Sequence, residues 1–386
     1  MGGSVRVAVW DEPDPAAATL GGAGARALVL PQLFVAQPSG RWAPSLVAPR
    51  SDRDGPDKQS ASFRLREGAV WSDGTPITAD DLRRSADAHL VAGVDGPAAD
   101  GSVTVRFTQP LPGWRRLWSG VDSVAPPRPD VWGGPFTVAA RTPGLETVLR
   151  RNPRWYGGAG PFLDELRLVL VPDPATARQL LARGEVDVVM PPAATMRTAQ
   201  LEAIEGVEVA TTAKSGWWTG LWVQPERLTP GRRPAVVATV DRTGFVSTLL
   251  RDEATVFEEP VADSGRTAAG LGTVDLVGMH EEPMTALLQR SMQKRARGHG
   301  RLELRNAEAD RVQGWLAEGS YDAAIAPAYD GPGECRPCDE ASVAQSVLLP
   351  LWRWQVVVAW RARVDGVVAN GYALNAAWNA ATWHLR

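Results

Sequence analysis

Two stretches hold the residue types most capable of chemistry. The first is Asp11-Glu12-Pro13-Asp14-Pro15, three carboxylates in five residues. Paired carboxylates can cleave glycosidic bonds, but no second carboxylate sits in a recognisable motif, so this loop reads as a strand-end turn. The second is Gly-Glu-Cys335-Arg-Pro-Cys338, which holds the only two cysteines. One CxxC is half a zinc site, and His89, His280, His299 and His384 show no partner spacing near it. A redox CxxC opens a helix, whereas Gly331, Pro332 and Gly333 predict a loop. The expectation is a small disulfide-closed loop or two free thiols, with no metal. There is no GxSxG, HExxH or Walker-type loop. No enzyme and no cofactor are predicted.

Binding chemistry is better represented. The chain has sixteen tryptophans, and five fall in two short runs. Trp217, Trp218 and Trp222 lie in AKSGWWTGLWVQP, and Trp352 and Trp354 in LPLWRWQ. Tyr329 and Asp330 follow a predicted strand over Tyr321–Ala326. Aromatic faces with a few charges are what line a ligand cleft. Taken singly, each tryptophan also suits a packed core.

The elements that would position these groups alternate between strands and helices. Ser4–Trp10 predicts a strand. Phe63–Asp81 reads as strand, Ser-Asp-Gly turn, and a helix capped by Thr78 and Asp81 that runs on through Leu82, Ala86 and Leu90. Phe136–Ala140 and Glu146–Arg150 predict a hairpin. Leu166–Val171 is a nearly continuous apolar run, as in a buried strand. Asp173 then caps, Pro174 opens a helix and Gly184 ends it, before a strand over Val186–Met190. That unit argues α/β with a partly parallel sheet. Further on, the pattern predicts one helix over Pro234–Leu250, a strand over Leu271–Met279 and a basic helix over Met284–Arg297. Length 386 suggests two to three domains. A net charge of −3 gives no footprint for nucleic acid, and no apolar run is long enough to span a bilayer.

The string FRLREGAVWSDGTPITADD, Phe63–Asp81, resembles the signature of family-5 solute-binding proteins of peptide- and nickel-type ABC importers. Four further blocks resemble the same family in order: Gly133–Gly158, Val171–Val189, Arg232–Val246 and Leu349–Trp360. The resemblance implies an α/β, two-lobed periplasmic-binding-protein fold of type II, with mixed sheets, an extra subdomain and a discontinuous first lobe. Residues 1–214 would form lobe 1, with a reduced subdomain at about 37–131. Residues 215–347 would form lobe 2, and 348–386 would return to lobe 1. The implied function is capture of a peptide or related small solute between the lobes, for delivery to an ABC transporter permease. A sensory module of the same fold, or a binder of an oligosaccharide or metal chelate, is the alternative. The ligand would meet Trp10, Phe34, Trp217, Trp218, Trp222, Tyr329, Asp330, Trp352 and Trp354. Asp330 resembles the acidic residue that meets a peptide's ammonium group. The protein would be a monomer outside the cytoplasm, without nucleic acid, touching the membrane only through an export signal or lipid anchor absent from this sequence.

Overall fold

The computed structural model describes residues 2–17, 19–120, 122–192, 195–250, 254–257, 268–279, 283–332 and 347–386. Cys335, Cys338 and His280 lie outside the described residues. The chain divides into two compact units, 1–214 with 356–386, and 215–355.

The first unit is built on a seven-stranded mixed sheet. Its centre is Ser4–Val9, parallel to Glu165–Leu170 on one side and to Val188–Val189 on the other. The helix between those partners is Pro174–Arg183. The Asp173 carboxylate accepts from the Thr176 N–H at 2.9 Å, and Gly184 adopts a left-handed φ of 69°, which a Cβ would strain. This is the strand–helix–strand unit read from the sequence. The Phe136–Thr142 and Glu146–Arg151 hairpin closes one edge, and Val207–Thr212 forms the other.

The Phe63–Asp81 stretch serves a second, antiparallel four-stranded sheet in this unit, through Ser60–Arg64. Phe63 is buried and stacks on Trp114 at 5.8 Å. Asp73 is a turn residue, accepting from both the N–H and the hydroxyl of Thr75. Asp81 caps by accepting from the Thr78 N–H at 2.7 Å. The helix that follows is shorter than its pattern predicts, Ala79–Arg84. Ser85 stops it: its hydroxyl donates to the Asp81 carbonyl and accepts from the Ala125 N–H, and its own carbonyl accepts from the Trp118 indole N–H.

The second unit holds a six-stranded sheet in the order Ala254–Val256, Leu348–Trp354, Trp217–Val223, Ala323–Tyr329, Gly272–Met279, Gly300–Ala307. The last three run parallel. Leu348–Trp354 pairs with Trp217–Val223 and Ala254–Val256. The chain therefore returns to the first unit at Val356, not at residue 348 as expected. The predicted Pro234–Leu250 helix is also broken. Arg233–Val237 ends, and Asp241 recaps Arg242–Phe245 by accepting from the Gly244 N–H. Leu249, near the end of that segment, is exposed.

Candidate functional site

Alternation along a strand decides where the expected site residues point. In Trp217–Val223, Trp217 and Thr219 face one side of the sheet and Trp218, Gly220 and Trp222 the other. The neighbouring strands follow the register. Tyr329 lies opposite Trp217, Trp352 opposite Thr219, and Arg353 opposite Trp218. The five tryptophans of the two runs therefore divide between two faces.

On the first face, Trp352 is buried and stacks on Phe245 at 5.1 Å. Trp354 is buried too, and its indole N–H donates to Thr219 Oγ1 at 2.9 Å. Both belong to the core of the second unit, which reverses their assignment to a ligand surface. Trp217 and Tyr329 differ. They lie at the end of the same face, only partly buried, with ring centroids 4.9 Å apart. Gly216 makes that contact possible. A Cβ there would stand 2.2 Å from the Asp330 carbonyl and 2.8 Å from the Tyr329 ring. The ladder continues past the rings, with the Asp330 N–H donating to the Gly216 carbonyl at 2.9 Å. Asp330 thus sits beside the aromatic pair, with only 1% of its surface exposed.

On the second face, Trp218 is fully buried and lies 5.6 Å from Trp222. Gly220, between them on the same face, leaves the room: a Cβ would meet the Trp218 ring at 2.7 Å. Trp222 packs under the Ala309–Glu318 helix with Val277 and Val312. Trp218 is therefore a core residue, and Trp222 a packing one. Phe34 in the first unit is likewise core, edge-on to Trp114 at 5.4 Å. A ring sealed on all sides has no surface to give a ligand.

Trp10 is partly exposed at the carboxyl end of the central parallel strand, and its indole N–H donates to the Met190 carbonyl at 2.7 Å. Ligands of open α/β sheets bind beyond such strand ends. The acidic loop beside it is spoken for. Glu12 accepts from the Gly144 N–H, and Arg141 pairs with Glu12 and Asp14, which fits a strand-end turn. Among the described residues no group of three or more His, Cys, Asp or Glu could hold a metal, and no helix is long and apolar enough to cross a membrane. A depression of about 540 Å³ lies along the Pro283–Ala296 helix and the Gly300–Ala307 strand. It is lined by Gln293, Arg297, Arg301 and Glu303 among others, and none of the expected site residues reaches it. It is open and its lining has no aromatic ring, so the aromatic pair is the better candidate.

Sequence reading missed three residues that shape this region: Gly216, Phe257 and Arg353. Only Arg353 left a signal, as a lone cation between two tryptophans.

The chain is similar to oligopeptide-binding protein OppA of Mycobacterium tuberculosis, at 31% identity over 150 residues, covering 30% of this chain and 25% of OppA. It is also similar to the probable monoacyl phosphatidylinositol tetramannoside-binding protein LpqW of that organism, at 27% over 221 residues, covering 48% and 34%. These matches span about a quarter to a third of the curated relatives. The fold is that of the two-lobed binding proteins. It matches the periplasmic EDTA-binding protein EppA with a TM-score of 0.79 at 20% identity, over 100% of this chain and 96% of that one. It matches oligopeptide-binding AppA of Bacillus subtilis, solved with a nonapeptide, at 0.77 and 13%, over 100% and 99%. The family model for the bacterial extracellular solute-binding proteins, family 5, matches residues 50–269. With more than half of its length matched, the chain belongs to family 5 of the bacterial extracellular solute-binding proteins.

Proposed function

We propose that this protein is the solute-capturing component of an ABC importer. It takes a peptide or related small solute outside the cytoplasm, without catalysis, and hands it to a membrane permease. The family match over residues 50–269 carries this reading. The solved relatives support it by what they bind: a nonapeptide for AppA, and EDTA for EppA.

Trp217 and Tyr329, the partly exposed pair of the second unit, are the residues we assign to the ligand, with Trp10 a separate candidate in the first unit; Asp330, at 1% exposure, is as sealed as the core rings and is not assigned. A solute that binds one conformation of the protein more tightly shifts the population toward it. The rings supply apolar contact, about 25 cal/mol per Å² removed from water, before ordering costs.

Native mass spectrometry of the purified protein identifies any co-purified solute. Calorimetric titration with that solute, or with a defined set of di- to nonapeptides, then tests the site. Tyr329→Ala should weaken binding of that solute about tenfold. Trp217→Ala should weaken it while costing the free protein about 1–3 kcal/mol, less than the loss of a sealed indole, because the ring is only partly buried. Unchanged affinity in both variants would move the site elsewhere. Failure to bind any peptide or chelate, with no co-purified solute, would overturn the function.

A further inference from the structure

The chain passes between the units twice, at 214/215 and at 355/356. The two passages run side by side. On the first unit's side their last ladder pair is Thr212 with Val356. On the second unit's side their first pair is Trp218 with Arg353. Between those pairs one passage has five residues, 213–217, and the other has two. The longer passage carries two local turns. The Lys214 N–H donates to Thr212 Oγ1 at 3.2 Å, and the Trp217 N–H to Ser215 Oγ at 3.0 Å.

Arg353 reaches across this unequal gap. Its guanidinium donates to the Ser215 carbonyl and lies over the Phe257 ring at 4.9 Å. Phe257 is fixed in turn. Trp218 meets it edge-on at 6.1 Å, and its carbonyl accepts from buried Arg242 at 3.1 Å. A guanidinium already held over a ring has less torsional freedom to lose when it makes its hydrogen bond. Ser215 is buried, whereas Ala213 and Lys214 are exposed.

We infer that Arg353 is a clamp on the longer passage. It fastens Ser215 to the second unit and so confines the freedom of that passage to Ala213 and Lys214. Bending between the units then has one narrow place on this strand. Phe257 and buried Trp218 are the clamp's seat. This gives a second task to the aromatic residues of that face, distinct from ligand contact. The inference adds to the binding reading without depending on it.

The test uses the full ligand-free chain, so its outcome leaves the binding reading untouched. Trypsin cleavage after Lys214 is followed by mass spectrometry, together with hydrogen exchange of peptides covering 213–217. Losing a hydrogen bond from a charged donor predicts about tenfold faster cleavage and exchange there in Arg353→Met. Exchange in the Ser60–Arg64 and Gly272–Met279 strands should stay at the wild-type rate. Arg353→Lys keeps a donor and should fall between the two. Wild-type rates at 213–217 in Arg353→Met would overturn the clamp. So would an equal rise across Gly272–Met279, which would make Arg353 a packing residue of the whole second unit.

Discussion

Within a few residues the chain leaves one sheet and enters another, and the two strands it uses are unlike. Val207–Thr212 is the edge of the first sheet, none of its residues fully buried. Trp217–Val223 lies inside the second sheet, with five of its seven residues buried. The first strand is β-branched and polar, as an edge with one wet side permits. The second carries bulky apolar residues on both faces because both faces are covered, one by the Ala309–Glu318 helix and the other by Phe245 and its neighbours. Most of the tryptophan clustering is therefore a consequence of strand position. Only the rings at the strand's end are left for the ligand contact proposed above.

That contrast can be broken. The largest expected effect is Trp218→Ala, which removes a sealed indole and should cost about 3–5 kcal/mol in denaturant unfolding. A loss under 1 kcal/mol would mean that the inner strand is not packed as described. A smaller loss, about 1–3 kcal/mol, is expected from Gly216→Ala, because the new methyl must push the Asp330 carbonyl or the Tyr329 ring. That variant should also lower ligand affinity by displacing the Tyr329 ring, which calorimetry would read.

The smallest effect belongs to the first unit, where caps matter in place of rings. Hydrogen bonds from the Thr176 hydroxyl, and then from its backbone N–H, hold the Asp173 carboxyl below the usual range. A depressed carboxylate stabilises the fold at pH above its unfolded value and loses that contribution as pH falls through the folded one. Asparagine caps nearly as well but does not titrate. Thermal melts of Asp173→Asn and wild type should lie furthest apart near neutrality and converge as the pH drops below about 4. Parallel curves down to pH 3 would argue against the cap's charge.

Much of this architecture was legible in particular residues. Asp173, Pro174 and Gly184 announced a helix from its ends, and Asp73 and Asp81 a turn and a cap, because each acts within three or four residues of itself. What failed depended on distant partners. The helix after Asp81 stops early because the Trp118 and Ala125 N–H groups claim Ser85. The Pro234–Leu250 segment breaks because Asp241 prefers to cap Gly244. The tryptophans were pooled by nearness in sequence, although neighbours such as Trp217 and Trp218 point to opposite faces. Period-two alternation was available to separate them. Which face would be sealed was not, since Phe245 and Val312 arrive from elsewhere.

The strand order of the first sheet also bears on synthesis. Val207–Thr212 touches its own sheet only through Val356–Arg361, which lies between it and Val188–Val189. On a ribosome it waits unpaired while the intervening chain is made, on the order of ten seconds at ordinary elongation rates. All 141 residues of the second unit, 215–355, are translated in that interval. The inserted half can thus be complete while the half that began first still lacks the strand that seals its edge, and Val207–Thr212 is the stretch a chaperone would find open.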